Sequence, residues 1–213
     1  MTDFSHKPTL TGDRVVLRPL TAADTETMAA VIDDPETARL TGSAGHPPFS
    51  IERLRAWYAS RAEQTDRLDL GLVDRASGEL VGELVLHEWD EPNRSCGFRI
   101  AIGPRGRDRG LGTQATRLLL GYGFERLGLH RIHLEVYAFN PRALRVYERV
   151  GFVREGVGRE ALLHEGEWID AVRMAVLAPE WARHRGRVDG GRTDGGERGG
   201  GERGGGGAGI YTP

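Results

Sequence analysis

The 213-residue chain contains one cysteine, Cys96, three methionines and 7% aromatic residues. A single cysteine excludes an intrachain disulfide and a zinc site built on several thiolates, and its place in a strand-like run reads as a small buried residue. No apolar run approaches the roughly 18 residues of a membrane span, and the N-terminus has no basic stretch followed by an apolar core. A membrane span and a signal peptide are therefore not expected, and the cytoplasm is the default location. An excess of either charge is also missing: 29 Lys and Arg face 31 Asp and Glu, for a net charge of −2. That balance gives no reason to expect nucleic acid or an anionic membrane as partner. His87, His130, His133 and His164 never fall at the i, i+4 spacing of a helical metal site, so no metal is expected. No Gly-x-Ser-x-Gly elbow is present, which disfavours a serine-nucleophile hydrolase.

What is present is a cradle for an anion. Arg105-Gly-Arg-Asp-Arg-Gly-Leu-Gly112 follows an alternating run, Phe98–Ile102, and precedes a helical pattern. In that pattern Leu111, Ala115, Leu118, Leu119 and Tyr122 share one face of a 3.6-residue period. The glycines thus stand between a strand and the first turn of a helix, where unpaired N–H groups and the positive end of the helix dipole attract anions. Gly110 and Gly112 lack a Cβ, so a ligand can approach the backbone, and Arg105, Arg107 and Arg109 add charge. No Lys follows the glycines, which excludes the nucleotide-triphosphate loop. Gly110–Ala115 does satisfy the dinucleotide pattern G-x-G-x-x-G/A. That fold needs several further strand–helix units, and the ordered-looking chain ends about 65 residues later.

Along the chain, residues 1–12 read as polar and loose. Arg14–Leu20 reads as a strand, and Thr21 and Asp24 open a helix carrying Met28, Val31 and Ile32. Thr41–Pro48 reads as a loop, and Ser50 caps a helix to about Arg67. Asp69–Asp74, Leu80–His87 and Cys96–Ile102 are strands. Leu111–Leu127 is a helix closed by Gly128, and Arg131–Tyr137 is a strand. Asn140 and Pro141 start a short helix that Gly151 ends. Phe152–Glu155 and Trp168–Leu177 form a last antiparallel pair with a long connection, Gly156–Glu167. Residues 186–213 hold 13 of the 31 glycines and few apolar residues. This tail cannot bury enough surface to offset its ordering entropy and is expected to be disordered. Its Arg-Gly-Gly steps are interrupted by Glu197 and Glu202 and carry no interleaved stacking residue, so RNA binding is not expected.

Arg107-Asp108-Arg109-Gly110-Leu111-Gly112 fits the Q/R-x-x-G-x-G/A loop of the GNAT acyltransferases. His133–Phe152, with Leu134-Glu135-Val136, Asn140 and Tyr147-Glu148-x-x-Gly151-Phe152, resembles the second block of that family. The opening Leu17-Arg18-Pro19-Leu20-Thr21-x-x-Asp24 resembles the Rim-type members, which acetylate ribosomal-protein N-termini. The resemblance spans one domain, about residues 12–180. It implies an α/β fold with a mixed, mostly antiparallel sheet of six or seven strands, helices on both faces and a V-shaped splay between two central strands. It implies acetyl-CoA as donor and a primary amine as acceptor. Backbone groups of Ile100, Ala101 and Ile102 would pair with the pantetheine arm. Amides from Arg107 through Asp108, Arg109, Gly110, Leu111 and Gly112 to Thr113 would hold the diphosphate, and Asn140 would contact the arm. Tyr147 matches the family's general acid and Glu135 a carboxylate base, with Glu83 or a water chain as the alternative base. The acceptor is a protein N-terminus, or else a small amine or aminoglycoside-like antibiotic. A non-catalytic acyl-CoA sensor is the reading from another class. A homodimer is left open.

Overall fold

The computed structural model describes residues 3–45, 47 and 50–189. Eight strands form one sheet: β1 (Leu10–Thr11), β2 (Val15–Pro19), β3 (Leu68–Asp74), β4 (Leu80–Asp90), β5 (Ser95–Ile102), β6 (Arg131–Tyr137), β7 (Val153–His164) and β8 (Glu167–Leu177). Their order across the sheet is β1-β2-β3-β4-β5-β6-β8-β7. Every neighbouring pair is antiparallel except β5 and β6, which run parallel. Among the described residues the α-helices are α1 (Thr25–Ile32), α2 (Pro35–Thr41), α3 (Ile51–Ala59), α4 (Leu111–Glu125), α5 (Pro141–Arg149) and α6 (Ala178–Asp189).

Strand alternation sends side chains to two faces. On one, Leu84, Leu86, Cys96, Phe98, Ile132 and Leu134 pack with Leu111, Ala115, Leu119 and Leu120 of α4 and with Leu144 and Tyr147 of α5. On the other, a smaller cluster of Leu20, Met28, Val31, Leu54 and Tyr58 joins α1 and α3 to the sheet. Helices therefore cover both faces, and the main core lies under α4.

The structure departs from the sequence reading in several places: the sheet has eight strands rather than six or seven, and the helix capped by Ser50 ends at Ala59, with a 3-10 turn to Glu63, short of Arg67. Residues 3–12 are not loose: Phe4 is 1% exposed and meets Trp89 edge-on at 5.6 Å, and Leu10–Thr11 pairs with β2. Residues 35–41, to which the sequence reading gave no helix, form α2, with Asp34 as its N-cap accepting from the Thr37 amide and Gly42 in the left-handed region as its C-cap. Pro35 is at N1, a position that begins helices as readily as an earlier Pro ends them. Gly156–Glu167 is not a free connection, because nearly all of it belongs to the β7–β8 hairpin. The two-residue turn, Glu165-Gly166, has positive φ at both positions, the primed-turn geometry that matches strand twist. That strand is mostly exposed, so it carries no period-two signal. Finally, α6 runs on to Asp189, anchored by Trp181, which stacks on Phe124 and donates through Nε1 to Glu125 at 3.0 Å. The expected disorder from residue 186 falls partly on this helix, and residues 190–213 lie outside the described residues.

Candidate active site

β5 and β6 pair over only three positions, Ser95↔Arg131, Cys96↔Ile132 and Gly97↔His133, and then part. Past Gly97 the β6-facing edge of β5 has no neighbouring strand. The expected splay is therefore real, and Ile100–Ile102 lie along its open edge. A cavity of about 830 Å³ fills the gap and passes from one face of the sheet to the other. Ile100, Ala101, Ile102, Arg107, Asp108, Gly110, Gly112, Thr113, Glu135, Asn140 and Tyr147 all line it.

The cradle is a backbone device. The amides that matter belong to the loop after the 3-10 turn Pro104–Gly106 and to the first turn of α4. Those of Leu111, Gly112 and Thr113 are the orphan donors of α4. Gly110 makes the turn into the helix at φ +73°, in the left-handed region that favours glycine. The site thus offers the orphan N–H groups of a helix start beside a glycine turn, which is the environment a diphosphate needs.

The side chains of the motif are mostly occupied elsewhere. The Arg107 guanidinium turns away from the amides. It donates to Asp34, to Thr37, to Glu36 at 2.7 Å and, through Nε, to the Ile102 carbonyl at 2.9 Å. It is a clamp between the cradle and α2, and only its amide is left for a diphosphate. Arg109 pairs with Asp74 at 2.7 Å, and Leu111 is in the core. Asp108 accepts from Arg142 of α5 at 3.1 Å, and Asn140 caps α5 by accepting from the Ala143 amide at 3.0 Å. Partners of Arg107 some 70 residues away could not be read from the loop motif.

Tyr147 projects from α5 toward the gap. Its ring is 8% exposed, held edge-on by Phe98 at 6.2 Å and Phe152 at 5.7 Å. The hydroxyl makes no hydrogen bond to the described residues, and burial pushes its pKa well above the ordinary tyrosine value. It is a neutral proton donor in search of an acceptor. Glu135 is on the other side of the sheet. It is exposed and accepts from the cross-strand Arg173 at 3.2 Å. The reserve candidate Glu83 does not line this cavity. It is buried beneath α3, accepts from the Tyr58 hydroxyl at 3.2 Å, and is 3.9 Å from Arg99; burial raises its pKa.

The wall around Glu135 contains groups the motifs did not flag. His87 lies over Gly97, where an added Cβ would come within 2.7 Å of the imidazole. Glu88 sits on the β4 bulge, 3.6 Å from His87 Nδ1 and 4.0 Å from His133 Nε2. Burial lowers the His87 pKa, so it is neutral at pH 7. Arg131 pairs with Glu155 at 2.6 Å, and Arg99 also lines the cavity. One sequence signal was available: alternation sets His133 two residues from Glu135 on the same face. Cys96, at the base of the gap, is fully buried, and burial pushes its thiol up to about 12, so it stays protonated at neutral pH.

Among the described residues no group of three or more His, Cys, Asp or Glu is arranged to hold a metal ion, and no helix is long and apolar enough to cross a membrane.

A family model described as "Acetyltransferase (GNAT) domain" matches residues 14–153. The spermidine N(1)-acetyltransferase of Escherichia coli K12 is 31% identical over 145 residues, covering 62% of this chain and 78% of its own. A Bacillus subtilis protein named "Putative ribosomal N-acetyltransferase YdaF" is 35% identical over 104 residues, 49% of this chain and 57% of its own. The spermidine N-acetyltransferase of Vibrio cholerae, solved with CoA and spermine, superimposes with a TM-score of 0.73 at 27% identity. That alignment covers 80% of this chain and 99% of the other. The orphan amides and the unpaired strand edge fit the donor that the family uses, and this chain belongs to the GNAT family as an acetyl-CoA-dependent N-acetyltransferase.

Proposed function

We propose that the acceptor is a single α-amino group, a protein N-terminus in the first place, and that the acetyl group passes to it directly. The observation that carries this reading is the state of the carboxylates on the acceptor wall. Glu135 is held by Arg173 and Glu155 by Arg131, and Arg99 adds a further cation to the same cavity. A polyamine or an aminoglycoside brings several ammonium groups, and each needs a carboxylate that is not already paired. Glu88 alone on this wall lacks an arginine partner. A peptide amine brings one positive charge and loses it before attack, so it asks for one proton acceptor and no anionic trough.

The roles follow from position. The amine reacts only when neutral, and Glu135 takes its proton, with His133 and Glu88 as the other acceptors on that wall. Acetyl-CoA supplies the activated acyl group. Open-edge amides of β5 polarise the thioester oxygen, and Tyr147 gives a proton to the departing sulfur. The cavity joins the two faces of the sheet, so base and acid approach the carbonyl from opposite sides. A non-catalytic acyl-CoA sensor would need the cradle but not a tyrosine beside it whose ring is buried and whose hydroxyl faces the cavity.

The test is CoA release with equimolar peptides of free N-terminus, free amino acids, spermidine and an aminoglycoside. The reading expects kcat/KM for a peptide amine to exceed that for spermidine by at least tenfold. Preference for spermidine would overturn it, and stabilisation by CoA with no turnover on any amine would return the sensor.

A further inference from the structure

The arginines close to the cradle are largely neutralised. Arg105 pairs with Glu79, Arg107 with Asp34 and Glu36, Arg109 with Asp74, and Arg142 with Glu36 and Asp108. Three arginines a little further out are not. Arg145 and Arg149 are exposed on α5, and neither guanidinium has a carboxylate or hydrogen-bond acceptor among the described residues. Arg117 of α4 reaches only the Arg149 carbonyl, at 3.5 Å, and its Nε is buried without any partner. A buried, unsatisfied guanidinium N–H beside two free cations is a costly arrangement for the empty protein.

The cavity leads to these residues. Beyond the cradle its walls are Thr113 and Thr116 of α4 and Ala143, Val146 and Arg149 of α5. Arg145 stands four residues before Arg149 on the same rim of α5. The groove between the two helices therefore starts at the diphosphate amides and ends at Arg149, with Arg117 bonded to the Arg149 carbonyl and Arg145 one turn away on α5. A donor whose diphosphate rests on those amides sends its acyl arm into the splay. Its nucleotide end must leave the cradle another way, and this groove is open to it. In CoA that end carries a 3′-phosphate, a monoester with close to two negative charges at neutral pH.

We propose that Arg117, Arg145 and Arg149 form the site for the 3′-phosphate and make this enzyme discriminate CoA from dephospho-CoA. The inference rests on acetyl-CoA as donor. Guanidinium groups bind phosphate oxygens through short, charge-assisted hydrogen bonds, and an arriving dianion also relieves the repulsion among the three cations. The opposite flank of the cradle is the competing location. There Arg14 stands beside Gly110 in a smaller cavity with Arg75 and Arg109. That cavity also contains Asp13 and Asp74. Arg109 is spent on Asp74, and Arg75 on the Gly12 and Asp13 carbonyls.

The experiment is calorimetric titration of the full chain with CoA and with dephospho-CoA, without acceptor. Wild type is expected to bind CoA at least about tenfold tighter, the scale of one charge-assisted hydrogen bond. Arg145→Ala/Arg149→Ala changes two exposed side chains and leaves the fold intact. It should bring the ratio near one by weakening CoA alone, and it should flatten the salt dependence of CoA binding. Arg14→Ala should leave the ratio as it is. Equal affinity of wild type for the two ligands would overturn the proposal, as would an unchanged ratio in the double variant or its loss in Arg14→Ala. Failure to bind either ligand would instead remove the donor reading itself.

Discussion

The donor and acceptor sides of the cavity are built from different materials. The donor side is backbone: the orphan amides of Leu111, Gly112 and Thr113, a glycine at positive φ, and an open strand edge. The acceptor side is side chains: Glu135 with Arg173, Glu155 with Arg131, and His87 and His133 around Glu88. Those groups come from four different strands. A backbone site tolerates change in most of its side chains and fails where a Cβ intrudes. A side-chain site can be retuned residue by residue, and this is how one fold can keep its donor and change its acceptor.

The contrast can be tested at its extremes. Gly110→Asp puts a Cβ and a carboxylate at the start of the cradle. CoA affinity should fall by about 100-fold or more while the melting curve stays cooperative, since amide contacts are lost and a like charge is added. Unchanged affinity by calorimetry would mean that the diphosphate is held elsewhere. Arg107→Ala tests the opposite point, that this motif side chain serves structure. It should cost about 2–4 kcal/mol of stability by leaving Asp34 without its cation and Glu36 with Arg142 alone, and it should loosen α2. Chemical denaturation measures this; a stable variant with weak CoA binding would make Arg107 a ligand after all. Arg131→Gln with Arg173→Gln frees two carboxylates on the acceptor wall. Spermidine turnover should then improve about tenfold relative to a peptide amine, and no change would show that wall charge does not select the acceptor.

The smallest effect is expected at Glu83, where burial raises the pKa. The folded state holds this proton more tightly than the unfolded state, so the stabilisation is present below the unfolded carboxyl pKa and is lost as pH rises. Glu83→Gln should therefore melt above wild type at pH 7, and the gap should close toward pH 4. A gap that is independent of pH would place the carboxyl outside this account.

The β5 strand, the cradle and the Asn140–Tyr147 helix were legible in the sequence, whereas the splay between β5 and β6 was implied only by the resemblance to the GNAT family. Each of those three is local: a period of two or of 3.6, a cap, or a glycine with one conformational duty. What could not be read depends on distance. The Arg107 clamp joins residues some 70 positions apart, and the Glu135–Arg173 pair spans 38. The long β7 strand lacks alternation because nearly all of it faces solvent, and α6 lies in a stretch whose composition already turns polar. The burial of Phe4 against Trp89 needed the sheet to exist first.

The most direct test is Tyr147→Phe, which removes one hydroxyl that has no hydrogen bond among the described residues. Acetyl-CoA affinity should be unchanged, because the donor site is backbone. The rate of acetyl transfer should drop by roughly 10²–10⁴, the usual contribution of a positioned proton donor. Burial disfavours the phenolate, so wild type should stay active through the pH near 10 at which an ordinary tyrosine ionises, with no basic limb below it. Full activity in Tyr147→Phe would contradict the assignment of the sulfur's proton to Tyr147 and reduce the residue to a member of the Phe98–Phe152 cluster.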